Sequence, residues 1–400
     1  MEEKRLKIAI FVDVFFPMVD GVINVVDNYA RRLAKVADVT VFCPKPKEKQ
    51  YDDSVYPYRV VRCKSMHSRR ADYVVGVPSL DGKFKKILKT EHFDIVHVHS
   101  PFFVGKQGVK YAKRHGVPAV ATIHSQYKRD FLQVTGNAFI AKRLLKTIMK
   151  VFNSCDECWT VNDACRKIFI EEYGLKVPCR LRSNATDMLP VDGTAASEWT
   201  KAELGIGEEE HVLLFSGRMV LVKNLLFLAD SLKLVKDAGV KFRMVFLGKG
   251  PDEDKLKHRL DKNGLLDCVL FPGRLTDRTH VAYLCNRAEL FVFPSLYDTN
   301  SLVQIEAASQ RTPTLFIRGS ATSATATENV DALMSENTAE DFANKIIFAL
   351  TNEQELKKIG DGAFERLYRT WDSVVDETYA RYLELIEQKK GDAERPDNRK

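Results

Sequence analysis

The sequence predicts an α/β protein made of two Rossmann-like, doubly wound parallel-sheet domains. Three observations predict it. Short apolar runs alternate with amphipathic segments along most of the chain, the pattern of repeated β-α units with right-handed crossovers. The 400 residues exceed one ordinary domain, and 45% hydrophobic content allows a full core in each of two. Residues 190–194 (Pro-Val-Asp-Gly-Thr) have linker character, so the boundary is expected near 188–205. The expected domains are 1–188 and 205–370, then a helix over 371–388 that returns to the first domain, and a polar tail over 389–400 that is expected to be disordered.

Each element has its own local reason. In the first half, strands are expected over 7–12, 39–43, near 58–62, and over 94–100, 118–123, 157–161 and 178–182. These runs are too short for helices and rich in β-formers, as in strands buried on both faces. Helices are expected from the Asp20-Gly21-Val22 turn to about residue 35, over 83–90 and 103–115, and over 163–173, where Asp163 supplies a cap. After His124 the chain turns basic and amphipathic. Phe139, Ile140, Leu144, Leu145, Ile148 and Val151 fall at helical spacing, while Lys142, Lys146 and Lys150 share a second stripe beside Arg143. In the second half, strands are expected over 211–216, 242–247, 268–271, 290–293 and 314–317. Helices are expected over 223–238, 252–262, 277–286, 301–309 and 339–350.

Composition narrows the function. No apolar run reaches the twenty residues of a spanning helix, and no signal peptide is visible. The eight cysteines are scattered, and Cys155-Asp-Glu-Cys158 lacks the second pair of a zinc ribbon, so reduced, packed thiols of a cytosolic protein are expected. Residues 1–187 carry 33 Lys+Arg against 20 Asp+Glu, a net of +13, which leaves −6 for the rest. A basic first half points to an anionic partner: a membrane surface or a phosphorylated substrate. No zinc finger, RNP-type or helix-turn-helix signature accompanies it, so no nucleic-acid partner is expected.

Candidate site residues cluster where strands end. After the apolar run over 290–293, Asp298 and Glu306 bracket a loop and a helix start, a place suited to an anionic ligand with carboxylates for hydroxyl groups. Gly217, Arg218 and Lys223 put two cations at another strand end. Gly248-Lys-Gly250-Pro-Asp lacks the third glycine of a dinucleotide fingerprint, and Asp252-Glu-Asp254 reads as acids in a first helical turn rather than a metal motif. His97 and His99 share one face of a strand, a spacing that can bind zinc, but no third ligand is evident and a hydrogen-bonded core is the simpler reading.

Taken in order, these residues resemble the family-4 (group 1) glycosyltransferases of two-domain GT-B architecture. The resemblance rests on Pro294-Ser295, Asp298, Leu302-Val303 and Glu306, on Gly217-Arg218 with Lys223, on Phe271-Pro-Gly273, on the 94–99 strand and His124, and on Phe16-Pro17 with Asp20-Gly21-Val22. It implies retaining transfer of a hexose from a nucleotide sugar, a UDP-hexose above all, in a cleft between domains, with no cofactor and no essential metal. Arg218 and Lys223 would then neutralise the leaving diphosphate, and Glu306 would bind the ribose hydroxyls. Asp298 and the amides of Asn300, Ser301, Leu302 and Val303 would hold the sugar and phosphate, with Gly217, Gly248 and Thr299 in the same donor site. Arg274 would lie by the base, and Gly21 and His124 would approach the reacting centre. Asp298 stands where the family has Glu, and Ser301 where it has Gly. The Asp20 turn and the basic stretch look most like the branch that glycosylates diacylglycerol. That branch implies a lipid acceptor at an anionic inner membrane surface, with Tyr127, Lys128, Arg129, Lys142, Lys146 and Lys150 on the acceptor or membrane side. The alternatives are a glycan acceptor in surface or capsular polysaccharide synthesis, and a non-catalytic subunit that binds sugar nucleotides.

Overall fold

The structure is a computed structural model of the chain and describes residues 5–18, 20–48, 50–67, 74–296, 298 and 302–394. The chain divides into two compact units, Met1–Ser183 with Trp371–Lys400, and Asn184–Thr370.

Unit 1 is built on a seven-stranded parallel sheet of order β3-β2-β1-β6-β7-β8-β9. Its strands are β1 (Leu6–Phe11), β2 (Ala37–Pro44), β3 (Arg59–Cys63), β6 (Ile95–Val98), β7 (Ala119–Ile123), β8 (Glu157–Thr160) and β9 (Cys179–Leu181). A small antiparallel pair, β4 (Ser65–His67) and β5 (Val74–Gly76), lies in a stretch that periodicity leaves unassigned. The helices are α1 (Gly21–Val36), α2 (Gly82–Thr90), α3 (Phe103–His115), α4 (Tyr127–Thr135), α5 (Ala138–Phe152) and α6 (Asp163–Lys167), the last continuing as a π turn, Ile168–Glu172. Asp20 caps α1 by accepting from Val22 N–H at 2.8 Å, and Ile23, Val26, Ala30 and Leu33 form its buried stripe. Cys155 and Cys158 are buried free thiols whose S–H groups reach the Val151 and Phe152 carbonyls at 3.5 and 3.7 Å, so the CxxC pair is packing at the end of α5.

Unit 2 carries a six-stranded parallel sheet of order β12-β11-β10-β13-β14-β15. Its elements are α7 (Gly193–Leu204), β10 (Val212–Ser216), α8 (Leu225–Asp237), β11 (Arg243–Leu247), α9 (Glu253–Lys262), β12 (Val269–Gly273), α10 (Arg278–Arg287), β13 (Leu290–Phe293), α11 (Leu302–Ser309), β14 (Thr314–Ile317), β15 (Ala332–Ser335), α12 (Ala339–Thr351) and α13 (Glu353–Leu367). The stretch read as a linker is structured: Asp192 caps α7, whose Trp199 stacks on His280 of α10 at 4.6 Å. In both sheets the first strand sits between the strands that grow outward to either side. Crevices therefore open at the carboxyl ends between β1 and β6, and between β10 and β13, where doubly wound sheets bind ligands.

The last helix, α14 (Trp371–Glu394), belongs to unit 1. It runs beyond residue 388, so 389–394 are helical rather than disordered, and 395–400 lie outside the described residues. Asp372 pairs with Arg32 of α1 at 3.0 Å. Deeper in, fully buried Tyr382 stacks on Trp159 of β8, and Arg381 donates to the buried Glu157 carboxylate at 2.6 Å. No helix among the described residues is long and apolar enough to cross a membrane.

Candidate active site

In unit 2 the site grows from the end of β10. Gly217 N–H bonds the Leu247 carbonyl at 2.9 Å, Met219 N–H the Lys249 carbonyl at 3.1 Å, and Gly248 N–H the Gly273 carbonyl at 2.8 Å. The three strand-end loops are thus stitched side by side. At Gly248 (φ 132°) an added Cβ would stand 2.0 Å from the Gly217 carbonyl oxygen, and at Gly250 one would stand 2.1 Å from that of Met219. These glycines are demanded by backbone against backbone, which is a stronger constraint than a permissive turn.

Lys223 does not open α8, as periodicity predicts. It closes a separate 3₁₀ turn, Leu221–Lys223, joined to α8 by Asn224 in the left-handed conformation (φ 63°). Asp252 braces that turn. Its carboxylate accepts from Leu221 N–H at 3.0 Å and pairs with Lys255 at 2.8 Å, and it makes no capping bond to its own helix α9. Of the three acids expected in the first turn of this helix, Glu253 and Asp254 lie there, whereas Asp252 stands just before it and turns its side chain to the 3₁₀ turn instead. So held, Lys223 Nζ lies 2.7 Å from both Asp298 oxygens and 5.4 Å from the Phe293 ring centroid. Arg218, beside it, is exposed and pairs with nothing among the described residues. Thr299, Asn300 and Ser301, expected to hold the donor, lie outside the described residues.

Glu306 is buried on α11, and its carboxylate is hydrogen-bonded by Arg278 from the first turn of α10. Arg278 was not anticipated. Its only sequence signal is a cation one turn after Pro272-Gly273. Arg274 follows β12 directly and is exposed. Leu302 and Val303 open α11.

In unit 1, Asp13 lies two residues beyond β1 and accepts from Phe102, Val104 and Gly105 N–H at 3.2, 2.7 and 3.2 Å, which pins the start of α3. Burial pushes its carboxyl up to about 6 against those amides. An added Cβ at Gly21 would meet nothing within 4 Å, so unit 1 itself does not require a glycine there. His124 directly follows β7, with Nε2 3.0 Å from His99 Nδ1. His97 bonds Tyr382 Oη at 2.5 Å and Thr122 Oγ1 at 2.7 Å. The 97/99 pair is thus a hydrogen-bonded core.

Burial pushes all three imidazoles down, His124 to about 4. They are neutral at pH 7. Because the folded pKa is depressed, the unfolded chain takes up protons first, and stability falls as pH drops from about 6.5 to about 4. His124 alone is expected to cost about 3 kcal/mol across that window. His124→Gln should flatten the pH dependence by about that much in urea unfolding, and an unchanged slope would remove the neutral-imidazole assignment.

The basic hairpin is two helices, α4 and α5, separated by Gly136. Tyr127, expected on the acceptor side, is instead buried among Phe131, Phe152 and Phe169. The side chain of Arg129 lies outside the described residues. Leu145 and Ile148 pack inward at 9% and 3% exposure, but Leu144, Ile140 and Phe139 are 38%, 45% and 68% exposed, in the same segment as exposed Lys142, Lys146 and Lys150. Leu132 and Val134 of α4 are exposed as well.

Unit 2 thus carries a cation braced at the crevice of a doubly wound sheet, with carboxylates on the neighbouring strand-end loop and the helix after it. Residues 19–188 match Glycosyltransferase Family 4, and residues 197–366 match Glycosyl transferases group 1. The chain belongs to the family-4, group 1 glycosyltransferases. It is 23% identical over 322 residues to the alpha-monoglucosyldiacylglycerol synthase of Streptococcus pneumoniae, covering 78% of this chain and 70% of that one. It is 24% identical to the synthase of the same name from Acholeplasma laidlawii, covering 77% and 79%. Among solved structures, sucrose-phosphate synthase from Thermosynechococcus elongatus superposes with a TM-score of 0.80 at 18% identity, covering 96% and 100% of the two chains. Anabaena HepE in complex with UDP and glucose superposes at 0.73 and 15% identity, covering 95% and 99%.

Proposed function

We propose that this protein transfers glucose from UDP-glucose, with retention of configuration, to the free hydroxyl of a diacylglycerol-like lipid at an anionic membrane surface. The observation that carries the donor half is Lys223, held by the Asp252-braced turn and paired with Asp298. Asp298 holds the Lys223 ammonium in place. When a sugar diphosphate arrives, Lys223 and Arg218 turn to its phosphate oxygens, and Asp298 is released to accept from sugar hydroxyls. Charge then builds on the leaving diphosphate where two cations already stand, which is where electrostatic stabilisation lowers a barrier most. Those two charges take the place of a metal, and none is proposed. Glu306 accepts the ribose hydroxyls through the oxygen that Arg278 leaves open. His124, neutral, contributes a hydrogen bond to the sugar. Retention is supported by the alpha-monoglucosyl product in the names of the Streptococcus and Acholeplasma relatives, because the donor proposed here, UDP-glucose, carries its sugar in α linkage.

The lipid acceptor is supported by those same names and by the hairpin. A helix that exposes Phe139, Ile140 and Leu144 beside Lys142, Lys146 and Lys150 is built to lie in an anionic interface. Three cations at about 1 kcal/mol each correspond to roughly a hundredfold in partition. The parent is expected to float with anionic vesicles at low salt. The Lys142→Gln, Lys146→Gln, Lys150→Gln triple variant is expected to stay in the pellet fraction. Equal flotation of the two would end the membrane reading. The enzymatic test follows UDP release and glycolipid formation with diacylglycerol in anionic mixed micelles. Glucosyl lipid is the expected product. Donor hydrolysis without lipid transfer would move the acceptor to a glycan, and no response to any sugar nucleotide would leave a non-catalytic subunit.

A further inference from the structure

Unit 1 contains a chain of buried polar groups that runs from the last helix towards His124. The Tyr382 hydroxyl is fully buried, and among the described residues its partner is His97 Nδ1 at 2.5 Å. A phenol has one hydrogen to give and here one place to give it, so Tyr382 donates and Nδ1 accepts. His97 then carries its hydrogen on Nε2 and donates to Thr122 Oγ1 at 2.7 Å. With both nitrogens engaged, the ring is fixed.

His99 lies against it, ring centroids 3.9 Å apart, with the edge of Tyr29 on both at 5.8 and 5.6 Å. His99 Nδ1 is 3.0 Å from His124 Nε2, and one hydrogen lies between them. His99 Nε2 is buried with no partner among the described residues. If His124 gave the shared hydrogen, His99 would hold its own on Nε2, a buried donor with nothing to accept it. If His99 gives it, the orphan is only a lone pair. Buried N–H groups are left unpaired more rarely than acceptors are.

We propose that His99 is a positioning residue: it donates Nδ1–H to His124 Nε2, so that His124 carries its hydrogen on Nδ1, and Tyr382 fixes the array through His97. The consequence for chemistry rests on the proposed role of His124 towards the donor sugar. His124 meets the sugar as a hydrogen-bond donor through Nδ1, and its Nε2 lone pair is already occupied and cannot take a proton from the acceptor.

The test needs no variant to begin with. In long-range ¹H–¹⁵N spectra of the full chain labelled in histidine, with His124 assigned by His124→Gln, the parent is expected to show hydrogen on Nδ1 and a bare, hydrogen-bonded Nε2. Hydrogen on Nε2 overturns the proposal. His99→Leu removes the donor, and His124 should revert to the Nε2–H tautomer that free histidine prefers. His99→Asn, whose amide N–H can stand where Nδ1–H stood, should keep hydrogen on Nδ1. Transfer assays should show kcat lowered roughly tenfold to a hundredfold in His99→Leu, at unchanged KM for the sugar nucleotide, with recovery in His99→Asn. Identical spectra for the two variants overturn the proposal. A parent with the stated spectrum that turns over no sugar nucleotide overturns the functional reading and leaves the tautomer assignment standing.

Discussion

Lys223→Ala is expected to lower kcat for sugar transfer by roughly a hundredfold to a thousandfold, the cost of removing one preorganised donor from a developing negative charge. Arg218→Ala is expected to follow it. The two variants differ in a useful way. Arg218 is exposed and pairs with nothing among the described residues, so its removal should leave the thermal midpoint where it was. Lys223 holds Asp298 at 2.7 Å through both oxygens, so its removal also leaves a half-buried carboxylate without its cation. A donor analogue that cannot react should bind Lys223→Ala less tightly than the parent, yet the loss in kcat/KM should exceed the loss in binding, because the charge grows as the bond breaks. Turnover near the parent's in both variants would remove these cations from the diphosphate role.

The second large effect is on stability. Arg381→Ala is expected to destabilise unit 1 by about 3–5 kcal/mol, the range for removing one partner of a buried ion pair. Glu157 is buried. Burial pushes its carboxyl up, but hydrogen bonds from Arg381, Trp159 and Arg180 outweigh that and hold it below the usual value. It therefore stays ionised in the interior and depends on Arg381 at 2.6 Å and Arg180 at 2.9 Å. Urea unfolding followed by tryptophan fluorescence reports the loss, since Trp159 and Trp371 both belong to unit 1. Glu157→Gln combined with Arg381→Ala should recover part of it, because a neutral amide tolerates burial better than an orphaned charge. A midpoint unmoved by Arg381→Ala would show that the helix is held by its apolar face alone.

The sequence was most readable where one physical rule acted alone. Strands such as 290–293 and 314–317 are apolar runs with no competing periodicity, and both appear at those limits. The spacing of Asp298 and Glu306 placed them correctly on a strand-end loop and the helix after it. Other features depend on contacts between distant residues. Asp252 reads locally as one of three acids at a helix start, and only the fold brings Leu221 N–H to it. Tyr127 reads as part of a basic, accessible segment until the aromatic rings that bury it are assembled. Arg278 and Tyr382 carry no local signal for the groups they bond. β15 and α13 escaped because a four-residue apolar run and a charged helix with few buried positions fall below what periodicity can separate from loop.

The path of the chain orders its synthesis. A ribosome releases the first 183 residues of unit 1, then all of unit 2, and only then α14. At about 5–20 residues per second the middle unit takes roughly 10–40 s to emerge. During that interval unit 2 is complete and free to fold, while the sheet of unit 1 waits with Trp159, His97 and Glu157 uncovered by their last partners. Nascent chains therefore pass through a state with one finished half and one open apolar face, a natural substrate for a chaperone. A message truncated before residue 371 would leave that state permanent, with the unit that carries Lys223 intact and the unit that carries His124 lacking its closing layer.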